Sequence, residues 1–281
     1  MNNIDLRYVQ TRSCELNCPG CYLKEWEREI PNQETRKNIT IEDGSDSNIT
    51  FYLNAMDSEQ TMKQFQGFSS WMRQLQESNR HKKPTSLTFI TDVQTYRRFR
   101  KEILSVSLMP YFQHLKDKTL SLSIRNREDL QERNLIKPDN SSGITNIVYT
   151  FVHGLDHPVI WKDLSNLMLE DKVKTSFMFS KPATFNPDVL SFLSDLRKKY
   201  GNSLVYIDMC FFKAVDQFDC TKNQEGNHKY SPVFTIVGKD EVFPCTYPTN
   251  SCQVMIGNSS ETPRGWNYYT KKNIEEKLYG G

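Results

Sequence analysis

The sequence predicts an α/β fold: a partial, TIM-like (β/α)6 barrel with a small C-terminal hairpin-and-helix extension. Three observations predict it. Six short runs rich in β-branched and aromatic residues recur along residues 1–209. Segments of helical period separate most of them, and strand–helix–strand connections favour parallel pairing. Six such units fall short of the eight that close a barrel, so the sheet is expected to stay open.

In chain order the strands are "DLRYVQ" (5–10), "SLTFIT" (86–91), "TLSLSI" (119–124), "NIVYTFV" (146–152), "VKTSFMF" (173–179) and "SLVYIDM" (203–209). The nearly continuous apolar character of several runs predicts strands buried on both faces. Helical pattern occupies 58–78, with Ser58 as its cap, then 95–116, 127–134, 160–171 and 187–200. Pro187 suits a first helical turn, and Gly201 after Lys198, Lys199 and Tyr200 suits a helix stop. Residues 31–50 are polar and turn-rich and read as an inserted loop, with or without a short hairpin. Past residue 209, "PVFTIVGKDEVFPC" reads as two short strands around the turn "GKDE", and a last helix covers 271–279. The expected division is 1–209 for the barrel and 210–281 for the extension.

The chain has 281 residues, 37% hydrophobic, 25% charged and 12% aromatic, a globular composition with enough material for a full core. A formal net charge of +2 lacks the basic footprint of a nucleic-acid-binding protein. "YRRFRK" (96–101) interleaves cations with aromatics, as an RNA-modifying enzyme would, but a solvated helix face reads the same way. No run reaches 18 apolar residues, so no membrane span is expected. The start "MNNIDLRYVQ" lacks the basic and apolar regions of a signal peptide, which makes the cytoplasm the expected compartment. Seven cysteines in that setting point to metal or catalytic use rather than disulfides. "HGLDH" spaces His153 and His157 four apart, yet Gly154 and Pro158 argue for a loop and against a helical zinc pair.

"CELNCPGCY" (14–22) places Cys14, Cys18 and Cys21 directly after the first strand, at spacings x3 and x2. Structural zinc closes with four ligands, and disulfides need pairs. Three thiolates suit a four-iron cluster whose last iron stays open to a small ligand. The loop leaves the carboxyl end of its strand, where α/β folds present their sites. Pro19 and Gly20 allow a tight wrap without bulk. The alternative is three buried cysteines, or three zinc ligands that borrow a distant fourth.

At these residues the chain resembles the radical SAM superfamily, whose signature is C-x3-C-x2-C after the first strand of a partial (β/α)6 barrel. The resemblance implies a [4Fe-4S] cluster on Cys14, Cys18 and Cys21, with S-adenosyl-L-methionine on the open iron. It implies reductive cleavage of that cofactor to a 5′-deoxyadenosyl radical, hydrogen abstraction from a substrate, and an electron donor of flavodoxin or ferredoxin type. It also implies cofactor contacts. Tyr22 replaces the aromatic residue that often precedes the third cysteine. Thr91 and Asp92 follow strand 86–91, counted as the second, where the family carries G-G-E-P and this chain has "TDVQT". Arg125 and Asn126 end the next strand, Arg125 aimed at the cofactor's carboxylate. Thr150, with His153 near it, ends the fourth. A plain strand-to-helix turn capped by Asn126 is the alternative for the Arg125–Asn126 pair.

Cys210, Cys220, Cys245 and Cys252 lie beyond the sixth strand. "FTIVGKDEVFPC" followed by "MIGN" resembles the SPASM extension or its shorter form, twitch. The resemblance implies one auxiliary [4Fe-4S] cluster on Cys220, Cys245 and Cys252, with Cys210 a fourth ligand or a spectator. A glycine usual before the hairpin cysteine is missing here. A four-thiolate zinc site and buried, unliganded cysteines remain open alternatives. The implied activity is modification of a peptide or protein, or oxidation of a small polar metabolite. With the first strand starting inside ten residues, a leader-gripping domain is not expected. A peptide substrate would then need a separate peptide-recognition protein, or loop 31–50 and the C-terminal region. The non-enzyme alternative is a degenerate barrel that keeps a cluster as a partner-binding scaffold.

Overall fold

Along most strands of the sheet, apolar side chains alternate with small polar ones, and that alternation decides which face is buried. The computed structural model describes residues 4–11, 13–16, 47–78, 84–116, 118–125, 128–129, 143–153, 165–170, 174–179, 187–201, 203–207, 233–238 and 241–243. Its strands are β1 (Ile4–Val9), β2 (Ser47–Tyr52), β3 (Pro84–Asp92), β4 (Lys118–Ile124), β5 (Asn146–His153), β6 (Lys174–Phe179), β7 (Val205–Ile207), β8 (Val233–Val237) and β9 (Glu241–Phe243). They form one sheet in the order β7-β6-β5-β4-β3-β2-β1-β8-β9. Every neighbouring pair is parallel except β8 and β9.

From β1 to β7 the spatial order follows the chain. With right-handed crossovers, a sheet that never reverses direction keeps its connecting helices on one face, which is barrel winding and not doubly wound. The edges are β7 and β9, so the sheet is open, as predicted. Among the described residues no helix is long and apolar enough to cross a membrane.

Leu6, Tyr8, Ile49, Phe51, Leu87, Phe89, Leu120, Leu122, Ile147 and Tyr149 are each exposed by 8% or less. Their registers place them on one face, because paired residues in adjacent strands point the same way. Helix α1 (Ser58–Ser78) covers the β1–β2 part of that face. Phe68 stacks on Phe51 with centroids 4.3 Å apart, and Trp71 stacks on Tyr8 at 5.0 Å. Burying each such ring contributes about 2–3 kcal/mol, and each stacked pair about 1 kcal/mol more.

The opposite face is lined differently. Arg7, Thr50, Thr88 and Thr119 follow one another across four strands, and Asp92, Ser123, Thr150 and Ser176 form a second row nearer the carboxyl ends. Barrel interiors usually fill with layers of valine, isoleucine and leucine. The expectation of strands apolar on both faces is therefore corrected in part: one face packs on helices, and the other sets Val9, Tyr52, Ile90 and Val148 between rows that carry hydroxyls and an Asp5–Arg7 ion pair at 3.1 Å.

A second correction concerns residues 31–50. Their last four belong to β2, which pairs with β1 on one side and β3 on the other. Asn48 and Thr50 made it read as loop, because they stand on the polar face. Strand 86–91 is consequently the third strand, and every ordinal after it moves by one. The rest of 31–46 lies outside the described residues, as does 271–279.

Helix α1 spans its expected range, but Asp57, not Ser58, caps it: the Asp57 carboxylate accepts from Gln60 N at 2.8 Å. The predicted 95–116 helix is two shorter ones, α2 (Val93–Arg98) and α3 (Arg100–Ser107), bent at buried Phe99. It starts two residues early because Asp92 caps it through Gln94 N and Thr95 N. Residues 165–170 are helical within the expected 160–171. Helix α4 (Pro187–Tyr200) matches its prediction, and Gly201, at φ +79°, closes it by donating to Arg197 O at 2.9 Å. The predicted hairpin is β8 and β9, with Gly238 at φ +62° in its turn. That hairpin extends the barrel's own sheet alongside β1, its Gly238 N donating to Val9 O at 2.7 Å.

Gly67 supports a prediction. An exposed helical glycine gains about 1 kcal/mol on becoming alanine. Here a Cβ would overlap Gln10 Oε1 and come within 2.8 Å of the Tyr8 hydroxyl. Those two groups are hydrogen-bonded, and burial pushes the Tyr8 phenol pKa well up, so it stays a donor. Gly67→Ala is expected to lower stability by about 1–3 kcal/mol in urea unfolding, despite the better helix propensity.

Candidate functional site

The carboxyl ends of β1 to β5 carry the residues that sequence analysis singled out. Cys14 lies five residues past β1, half-buried. Cys18, Cys21 and Tyr22 lie outside the described residues, as do Asn126, Cys210, Cys220, Cys245 and Cys252. His153 ends β5, and nothing of its side chain is described.

The approach to Cys14 is held by the turn after β2. Asn54 Nδ2 donates to Thr11 O at 2.7 Å and to Ser13 O at 3.3 Å. Glu15 N donates to Ala55 O at 2.8 Å, so both sides of Cys14 are tied to residues 54–55. That turn is secured in its own right. Leu53 N donates to Ile90 O, and the Thr91 hydroxyl donates to Leu53 O at 3.0 Å. Thr91 thus spends its hydroxyl on structure. By register it shares the helix-covered face with Leu122, so a role for it rests on its backbone carbonyl.

Asp92, the last residue of β3, is 5% exposed. Its Oδ1 caps α2 and also accepts from the Arg125 guanidinium at 3.4 Å. Arg125 is gripped from its other side by Asp129, through its backbone N at 3.0 Å, Nε at 3.1 Å and Nη2 at 3.2 Å. Asp129 is fully buried. The Asp92 and Asp129 carboxylates thus meet the same guanidinium. Among the described residues Asp92 Oδ2 is buried without a hydrogen-bond partner. A buried carboxylate oxygen without a donor is costly, and it fits a group that brings one, an ammonium above all.

By register Asp92 pairs with Ser123, and Ser123 with Thr150. Thr150 is 2% exposed and shares a 2.7 Å hydrogen bond with the Ser121 hydroxyl. The structure therefore brings Asp92, Arg125 and Thr150 to one end of adjacent strands, and the β2 turn links that end to the Cys14 loop. Sequence reasoning missed Asn54, Gln64 and Asp129. For Asp129 a signal was present, since "RNRED" sets opposite charges four apart.

The donor set is compatible with a thiolate-bound cluster as far as it is described. Cys14 lies past the strand's carboxyl end, half-buried and therefore partly open to solvent. Among the described residues no group of three His, Cys, Asp or Glu side chains gathers to hold a metal ion.

No family model matches the chain, and no curated protein matches it. Two crystal structures of Streptococcus suis SuiB are similar in overall course. One, bound to S-adenosylmethionine, is 14% identical with a TM-score of 0.47; the match covers 100% of this chain and 65% of that one. The other is 13% identical with a TM-score of 0.49, covering 100% and 67%. The chain thus spans about two thirds of the SuiB length.

Proposed function

We propose that this chain is a radical S-adenosylmethionine enzyme. One observation carries the reading: a C-x3-C-x2-C run leaves the carboxyl end of the first strand of a parallel sheet wound in chain order. Cys14, Cys18 and Cys21 would hold a [4Fe-4S] cluster. When bound, it supplies the electron that splits S-adenosylmethionine and so starts hydrogen abstraction.

The chain's own residues have separable tasks. Asp92 Oδ2 would accept from the cofactor's ammonium group. Arg125, held by Asp129, positions Asp92 instead of reaching for the cofactor's carboxylate. The residues after the true second strand are Leu53–Asp57, "LNAMD", so the family's G-G-E-P position falls there and not at "TDVQT". Thr150 stands beside Ser123 on the polar face, where a bound cofactor or substrate meets hydroxyls. The C-terminal cysteines would hold an auxiliary cluster of twitch type, with Cys245 following β9 closely. The substrate is a peptide, protein or small polar metabolite, met in the cytoplasm with a flavodoxin- or ferredoxin-type donor.

The test is direct. Protein purified without air should be brown, with about four irons per chain for one cluster or about eight for two. On reduction it should convert S-adenosylmethionine to methionine and 5′-deoxyadenosine. Iron-loaded protein that neither binds nor cleaves the cofactor would leave the scaffold reading, which the departure from G-G-E-P at Asn54–Asp57 favours.

A further inference from the structure

Two buried amide side chains support the backbone around Cys14, Asn54 by direct contact and Gln64 by holding Asn54, and nothing about them looks like a motif. Asn54 is 7% exposed and Gln64 fully buried. Gln64 Oε1 accepts from Asn54 N at 2.9 Å while its Nε2 donates to Asn54 O at 2.9 Å. This two-point grip from α1 holds the Asn54 backbone in one orientation. The Asn54 side chain then reaches two carbonyls, Thr11 O and Ser13 O. Both partners are acceptors, so the side chain must present its NH2 group, and no carboxylate can take its place. The next residue, Ala55, takes the amide of Glu15. The loop is thus clamped immediately before and immediately after Cys14, by a scaffold rooted in a buried helix face.

A surface loop of four or five residues ordinarily has many conformations to choose among. A thiolate ligand needs one, because S–Fe geometry tolerates little displacement and hydrogen bonding near the sulfurs tunes the cluster. We propose that Asn54, aligned by Gln64, is the positioning residue that fixes the Thr11 and Ser13 carbonyls and so the placement of Cys14 Sγ toward the cluster. The inference rests on the radical S-adenosylmethionine reading, because it takes Cys14 to be a ligand.

The experiment compares wild type with Asn54→Asp, which keeps the shape but sets a carboxylate against two carbonyls, and Asn54→Ala, which only deletes the donor. Amide exchange over residues 11–16 is followed by mass spectrometry in the iron-free proteins, and the electron paramagnetic resonance spectrum and reduction potential in the iron-loaded ones. Both variants should exchange at least about tenfold faster there while α1 stays protected, and should show a shifted spectrum and potential. If Asn54→Asp fails to fold, Asn54→Ala decides. Exchange and spectrum both unchanged would overturn the proposal. Faster exchange with an unaltered spectrum and potential would overturn it too, leaving a purely structural clamp. Wild type that takes up no iron would instead refute the underlying reading, an outcome visible before any variant is compared.

Discussion

Replacing Cys14 with alanine should leave a folded, colourless protein at the first site and abolish S-adenosylmethionine cleavage, a loss of about a thousandfold or more. The fold is expected to survive because Cys14 is only half-buried and belongs to no strand or helix. The neighbouring clamp uses the backbone of Thr11, Ser13 and Glu15, which an alanine at position 14 leaves intact. The activity is not expected to survive, since the cluster on Cys14, Cys18 and Cys21 is the one that would keep an iron open to the cofactor. Circular dichroism, iron content and product chromatography separate the two consequences. Cys18→Ala and Cys21→Ala should match Cys14→Ala. Cys245→Ala should remove only a second set of irons. A Cys14→Ala variant that keeps full iron and full cleavage would overturn the assignment of the ligands.

The largest stability effect is expected at Asp129. Its carboxylate meets Arg125 at three donor atoms while itself fully buried. Removing one partner of a buried pair strands the other, which costs about 3–5 kcal/mol. Arg125 would keep its 3.4 Å contact with Asp92, which holds the expected loss for Asp129→Ala near the lower end. For a chain of this size that is roughly a 10 °C fall in melting temperature. The double variant Arg125→Met with Asp129→Leu removes both members of the pair but takes the guanidinium from buried Asp92, so it should be no less damaging than Asp129→Ala. Calorimetry on Arg125→Met, Asp129→Leu and the double variant gives the coupling between them. Additive losses would show that the pair does not act as a unit.

How much of this was legible in the residues depends on where each contact comes from. Helix α4 and its glycine stop were readable because period, first-turn proline and terminal glycine are all local. The β8–β9 hairpin was readable for the same reason. Strand β2 was not, because its Asn48 and Thr50 look like loop residues until β1 and β3 show that one sheet face is polar. That omission made "TDVQT" read as following the second strand, when it follows the third. Asp92 stands at the carboxyl end of β3, with an oxygen that lacks a hydrogen-bond partner among the described residues. The clamp of Asn54 and Gln64 was invisible, since it depends on two loops meeting across adjacent strands. Most cysteines, legible at once by spacing, gain nothing further from the described residues.

The position of β8 has a consequence for how the protein is made. On the ribosome, β1 can find β2 early, but its other flank waits for residues 233–237, Asp5 pairing with Val233 at a separation of 228 residues. Pairings between such distant segments form slowly, and an uncovered strand edge invites other chains. Biogenesis is therefore most vulnerable between completion of β7 and arrival of β8, when one flank of β1 is still exposed to strangers.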